Sequence, residues 1–266
     1  MTDGRREIKA LMDRVRRAGR VPPSMVIVSE TLERLGYLPG AVPPDEVLLH
    51  FNDMLRRLWE ETLLTLENYE ERCYANGIPR ELTQSYPQDV ERAEGVARRE
   101  GFAAGVQSLL TEWYPRLRRA FLSVTQGRMA RGGKDFELQI EGLLNLAKIP
   151  FHKQEREEHT DLILPDLETH RGNRNVSIII SVKRTLRERW AEVAEELYSL
   201  RSPNVFLFTA DEDVTQEHVA SICRQYNIYL VVWDRVKDKK FPEEPLVLGY
   251  TEWASQRLAF LKETWK

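Results

Sequence analysis

The chain has 266 residues, 42% of them hydrophobic and 30% charged, with a formal net charge of −3. That is an ordinary composition for a globular protein with a substantial core, and no apolar run reaches the roughly 20 residues of a membrane helix. Two distant cysteines, Cys73 and Cys223, argue against a disulfide framework, and five scattered histidines argue against zinc. MTDGRREIKA lacks a signal-peptide core, so the expectation is a cytoplasmic protein with no membrane partner.

The charge is unevenly placed. From Arg5 to Arg20 there are seven cations against two acids. From Arg116 to Lys134 the cations Arg116, Arg118, Arg119, Arg128, Arg131 and Lys134 occur with no acid among them. Solvated helix faces are the plain explanation of either patch. Two patches, with RTLRER further on, point towards a polyanion.

In chain order, the first half reads as helical. Pro44 and Asp45 start a helix that closes on Gly77, with Leu48, Phe51, Leu55, Leu58, Leu63 and Leu66 near helical spacing. GIPRELTQSYPQD reads as a linker, followed by helices from about Pro87 to Trp113 and from Pro115 to about Gln126. Residues 1–127 therefore read as a helical N-terminal region, for contacts with the backbone of a polyanion, dimerisation or both.

Residues 128–266 change character. A helix (KDFELQIEGLLNLAK) follows the Gly132–Gly133 pair, then come strands at PFHKQ, DLIL and VSIIISVK. A helix from near Thr185, a strand (VFLFTA), a helix (TQEHVASICRQY), a strand (IYLVVW) and a helical tail complete the chain. Strands that give way to alternating strand and helix imply an α/β domain with a mixed sheet flanked by helices.

Phosphodiester hydrolysis with Mg²⁺ needs carboxylates for the metal and a cation near the scissile phosphate. A turn centred near Arg171 would set Asp161 across from Ser181, two residues from Lys183 and on the same face. Asp166 would fall at the far end of that hairpin, so the register prefers Asp161. On the helix that follows, Leu186, Trp190, Val193 and Leu197 lie within about 60° of one another and define a buried stripe. Glu195 points about 170° away, whereas Glu196 lies about 90° from the stripe and can reach a site at the strand's end. A strand-end lysine or a lone helix glutamate is ordinarily a surface charge; the conjunction makes the hypothesis. Arg187-Glu188-Arg189 could read G and C edges, arginine forking onto guanine and glutamate accepting from cytosine. Ion pairs of Arg184 with Glu188 and Arg189 with Glu192 are the alternative.

Ser181-Val182-Lys183, followed by Arg187-Glu188-Arg189-Trp190 and a glutamate thirteen residues after the lysine, resembles type II restriction endonucleases that cut at CCGG or its interrupted forms. These have the PD-(D/E)XK nuclease fold. The resemblance covers about Arg128 to Asp234 and implies a restriction-endonuclease-like mixed sheet preceded by the helical region. In that family the second carboxylate has moved from beside the lysine to the next helix, which matches Ser181 and Glu196. The family's aspartate maps to Asp161, twenty-two residues before Lys183, although Thr160 stands where proline is expected and Asp166 stays an alternative. A further acid in an arginine-glycine context maps to Glu137 of RGGKDFE, with Glu141 as its rival. Size and layout are similar to the BsaWI type, specific for CCGG flanked by A or T.

The expectation is thus a Mg²⁺-dependent endonuclease that makes double-strand cuts in DNA at a CCGG-containing palindrome. Asp161 and Glu196 would bind metal, Lys183 and Glu137 would complete the catalytic set, and Arg187, Glu188 and Arg189 would read the bases. A palindrome implies a homodimer or higher homo-oligomer. The alternatives are a non-cutting DNA-binding protein on the same fold and a structure-specific repair or junction nuclease.

Overall fold

A computed structural model of the chain describes residues 3–19, 21–153, 160–186, 190–199 and 202–265. It divides into two compact units, Met1–Ile27 with Thr62–Arg131, and Val28–Glu61 with Gly132–Lys266. The long helices α4 (Phe51–Ser85) and α6 (Phe102–Leu146) each contribute to both.

The first unit is helical, built from α1 (Asp3–Gly19), the later turns of α4, α5 (Pro87–Glu100) and the earlier turns of α6. Ile8, Leu11, Met12, Val15, Cys73, Ile78, Leu82 and Trp113 form its core. Several sequence boundaries are corrected, beginning with the expected Pro44–Gly77 helix, which breaks at His50 into α3 (Pro44–Leu49) and α4. α4 does not close on Gly77 but runs through Pro79 to Ser85, because Ile78 and Leu82 are buried and that packing outweighs the local breakers. The expected Pro87–Trp113 helix breaks instead at Gly101, whose φ of +97° only glycine adopts cheaply. From Phe102 onwards the expected separate helices are one, continuous through Pro115 and the Gly132–Gly133 pair.

Several cations of the basic stretches have internal partners. Arg14 pairs with Glu81 at 2.7 Å, and Arg116 pairs with Asp89 at 3.2 Å while lying 3.7 Å over the Tyr86 ring. Arg128 pairs with Glu70, and Arg16 donates to Ser123.

The second unit is organised by a six-stranded sheet in sequence order: β1 (His152–Lys153), β2 (Leu162–Leu164), β3 (Ile178–Lys183), β4 (Val205–Thr209), β5 (Tyr229–Val232) and β6 (Val247–Gly249). β1, β2 and β3 pair antiparallel, and β3 to β6 pair parallel. Parallel neighbours need crossovers, supplied by α8 (Trp190–Ser199), by Gln216–Val219 continuing into a π-helical turn, and by a helix at Asp234–Lys240. β6 was not expected, since a three-residue strand carries almost no periodicity. The core also takes Val47, Leu48, Phe51, Leu55 and Leu58. Segment 28–61, which holds most of α2 (Ser24–Arg34) and all of α3, was grouped by the sequence with the helical first half and folds with the sheet. Among the described residues no helix is long and apolar enough to cross a membrane.

Candidate active site

β3 is a buried run, Ile178 to Val182, paired on both sides and solvated only at Lys183. Its antiparallel register with β2 sets Leu162 opposite Ile180 and Leu164 opposite Ile178. Asp161 prolongs that ladder, its N–H donating to the Ile180 carbonyl at 3.0 Å. Its carboxylate thereby reaches the end of β3. Oδ2 accepts from the Val182 N–H at 2.6 Å and the Ser181 hydroxyl at 3.3 Å, and stands 3.8 Å from the Lys183 ammonium. Ser181, fully buried, thus holds the acid in place.

Asp166 stands at the other end of the β2–β3 connection, which contains a helix, α7 (Leu167–Gly172), where a turn was expected. Asp166 caps it, accepting from the Thr169 N–H at 2.8 Å and its hydroxyl at 3.1 Å. That backbone bond, against a smaller effect of burial, holds the Asp166 carboxyl below the usual aspartate value.

α6 lies against the same end of β3. The Arg184 guanidinium lies where a Cβ on Gly132 would sit, so this turn of α6 comes close to the residue after Lys183. One turn on, Lys134 donates to Glu137 at 2.7 Å. Buried Glu141 pairs with Lys153 of β1, the residue opposite Leu162. The hydrogen bond to Glu137 holds the Lys134 ammonium above the ordinary lysine value; burial opposes this, and the charges of Glu137, Glu141 and Asp161 reinforce it. Three lysines are therefore matched with three acids. The sequence named only Lys183; Lys134 was counted as part of a basic patch, though its i,i+3 spacing to Glu137 was legible.

On α8, Ala194 and Leu197 are buried, Glu195 is exposed and accepts from the Tyr226 hydroxyl at 3.3 Å, and Glu196 is half-buried. Arg187, Glu188 and Arg189 lie outside the described residues. The residues leading into them are fixed by the end of β4 and the segment after it, where the Thr209 hydroxyl donates to the Arg184 carbonyl at 3.4 Å and Asp211 Oδ2 accepts from the Leu186 N–H at 2.8 Å. Asp211 was missed in the sequence.

Among the described residues no three His, Cys, Asp or Glu converge to enclose a metal ion. The donors are nevertheless of the right kind. Mg²⁺ takes hard oxygens and commonly only one or two carboxylates, with water and substrate phosphate completing its shell. The Lys134 ammonium already pairs with the Glu137 carboxylate.

Residues 99–246, more than half of the chain, match a family model described as EcoRII C terminal. The chain belongs to the EcoRII C terminal family. Over 262 residues it is 26% identical to the type II restriction enzyme SsoII of Shigella sonnei, covering 92% of this chain and 80% of that protein. A solved structure described as metal-depleted Ecl18kI in complex with uncleaved DNA matches with a TM-score of 0.82 and 26% identity, covering 100% of this chain and 87% of that one. A PspGI–substrate DNA complex matches with a TM-score of 0.60 and 19% identity, covering 91% and 94%, which is a likeness of fold. The mixed sheet with flanking helices and a mostly helical N-terminal region is the fold expected from the sequence. The chain is a type II restriction endonuclease by kinship, a site-specific nuclease.

Proposed function

We propose that the chain makes Mg²⁺-dependent double-strand cuts in DNA at a palindrome containing CCGG or an interrupted form of it. The observation that carries this reading is the Asp161–Lys183 pair, acid and cation 3.8 Å apart at the end of a buried strand. Asp161 and Glu196 would hold Mg²⁺, with Glu137 assisting. When bound, the ion would supply Lewis-acid polarisation of the scissile phosphate and of a water. Lys183 orients the attacking water and neutralises the charge that grows on the phosphate as the bond breaks. Ser181 and the Val182 N–H keep the Asp161 carboxylate aimed.

Arg187, Glu188 and Arg189 read the G and C edges of the core, and Asp211 steadies the residues before them. Solved relatives are described as DNA complexes, which supports duplex DNA as the partner. A symmetric site calls for a homodimer or higher homo-oligomer, and the region 1–127 supplies backbone contacts, dimer contacts or both. Bases flanking the core are A or T if the chain follows the BsaWI type.

The test is incubation of the purified protein with phage DNA and Mg²⁺, beside Lys183→Ala, and sequencing of the product ends. Discrete fragments with CCGG-type termini, lost in the variant, support the reading. Ragged ends leave Lys183 in its role and remove the Arg-Glu-Arg triplet from its own. Intact DNA with the wild-type protein sinks the proposed chemistry.

A further inference from the structure

The α6 segment that faces the candidate site carries its own cation. Lys134 donates to Glu137 at 2.7 Å from the preceding turn. Two independent contacts place this turn beside the strand ends: Gly132 against Arg184, which follows Lys183, and Glu141 with Lys153, which lies opposite Leu162, next to Asp161. With Lys183 on Asp161, three acids at this end of the sheet are each paired with a lysine. The Lys134 ammonium occupies Oε2 of the Glu137 carboxylate, and its charge opposes a second cation there.

We propose that Lys134 is an internal counter-cation of the carboxylate site, a positioning residue that holds Glu137 until a divalent ion takes over and then releases it. This rests on the reading of Asp161 and Glu137 as metal-site acids. The chemistry of lysine suits the task. An ammonium is a point charge on a flexible four-carbon stem, so it leaves without moving the backbone, whereas an arginine fork would grip the carboxylate at two points. The Lys134 side chain is 54% exposed, so its release into water carries little desolvation or packing cost. Glu137, at 23%, is the more enclosed partner and keeps its place. Once released, the ammonium lies two residues from Gly132, which packs against Arg184, and a DNA phosphate is a natural acceptor for it. Lys134 thus exchanges a protein carboxylate for a substrate phosphate, which links ion loading to the arrival of DNA.

The test is Mn²⁺ binding to the DNA-free protein, followed by the electron paramagnetic resonance signal of unbound Mn²⁺ and by calorimetry. Lys134→Met, checked for folding by circular dichroism, is expected to bind Mn²⁺ about tenfold more tightly than wild type, because one nearby like charge has gone. Lys134→Arg is expected to bind no better than wild type. Adding Glu137→Gln to Lys134→Met is expected to erase the gain. Equal or weaker binding by Lys134→Met, or a gain that survives Glu137→Gln, overturns the proposal. Asp161→Asn tests the underlying assignment separately: Mn²⁺ affinity unchanged by that variant removes Asp161 from the metal site, whatever Lys134 does.

Discussion

The Asp161 carboxylate accepts a hydrogen bond of 2.6 Å from the backbone N–H of Val182. The acid is therefore tied to the main chain of the strand that presents Lys183, one residue before it. Any movement of β3 carries acid and lysine together. For a site that must hold its groups to within a fraction of an ångström, this is a cheap form of rigidity. Asp161→Asn should lower single-turnover cleavage by about a thousandfold or more while a gel-shift assay still shows DNA retained. Retained cleavage would remove Asp161 from the chemistry.

Asp166 should behave differently, because its carboxylate caps α7 rather than facing Lys183. Its native-state pKa lies below the ordinary 3.8, chiefly through the Thr169 N–H. A depressed carboxyl stabilises the fold fully above the unfolded value and loses that contribution as pH falls through the native one. Asp166→Ala is expected to cleave at close to the wild-type rate and to melt about 2 °C lower at neutral pH. The gap between the two melting curves should narrow as pH falls through the native value.

Asp211 holds the Leu186 N–H immediately before the Arg-Glu-Arg triplet. Asp211→Ala frees that segment without touching an acid of the cutting site. The expected result is a fall of about tenfold in preference for the cognate site over a site with one base pair changed. Glu188→Ala and Arg187→Ala should lose more, about 10- to 100-fold each. Competition cleavage of the two duplexes measures all three. Unaltered preference in Asp211→Ala would show that the triplet is positioned by other contacts.

Ile180 is fully buried in β3, with Leu162 opposite on one side and Phe206 on the other. Ile180→Ala should cost about 2–5 kcal/mol of stability from lost burial and the cavity left behind. Denaturant unfolding at pH 7 measures it. Because β3 also carries Lys183, cleavage should fall with the folded fraction rather than independently of it.

Cys223 is buried and its thiol is pushed up to about 12, mainly by desolvation. The native protein should resist alkylation at this position at pH 8, since the thiolate is the reactive form and is scarce there. Mass spectrometry of the protein treated with iodoacetamide should find Cys223 unmodified until denaturant is added.

The sequence by itself determined the β2–β3 register, the placing of Asp161 rather than Asp166 beside Lys183, and the exposure of Glu195. These follow from periods that a chain cannot evade: two residues along a strand, and about 100° per residue around a helix. The local signals failed where packing overruled them. Gly77, Pro79, Pro115 and the Gly132–Gly133 pair all read as helix breaks and all lie within helices, because buried neighbours such as Ile78 and Leu82, and then Phe136 and Ile140, hold α4 and α6 together across them. Segment 28–61 joins the sheet's core for a similar reason, since apolar burial does not depend on distance along the chain. The matching of Lys134 with Glu137, Lys153 with Glu141 and Lys183 with Asp161 gathers three elements at one end of the sheet. Only the tertiary structure could decide that, because a charge finds its partner through space, and sequence spacing fixes the distance only within a single helix or strand.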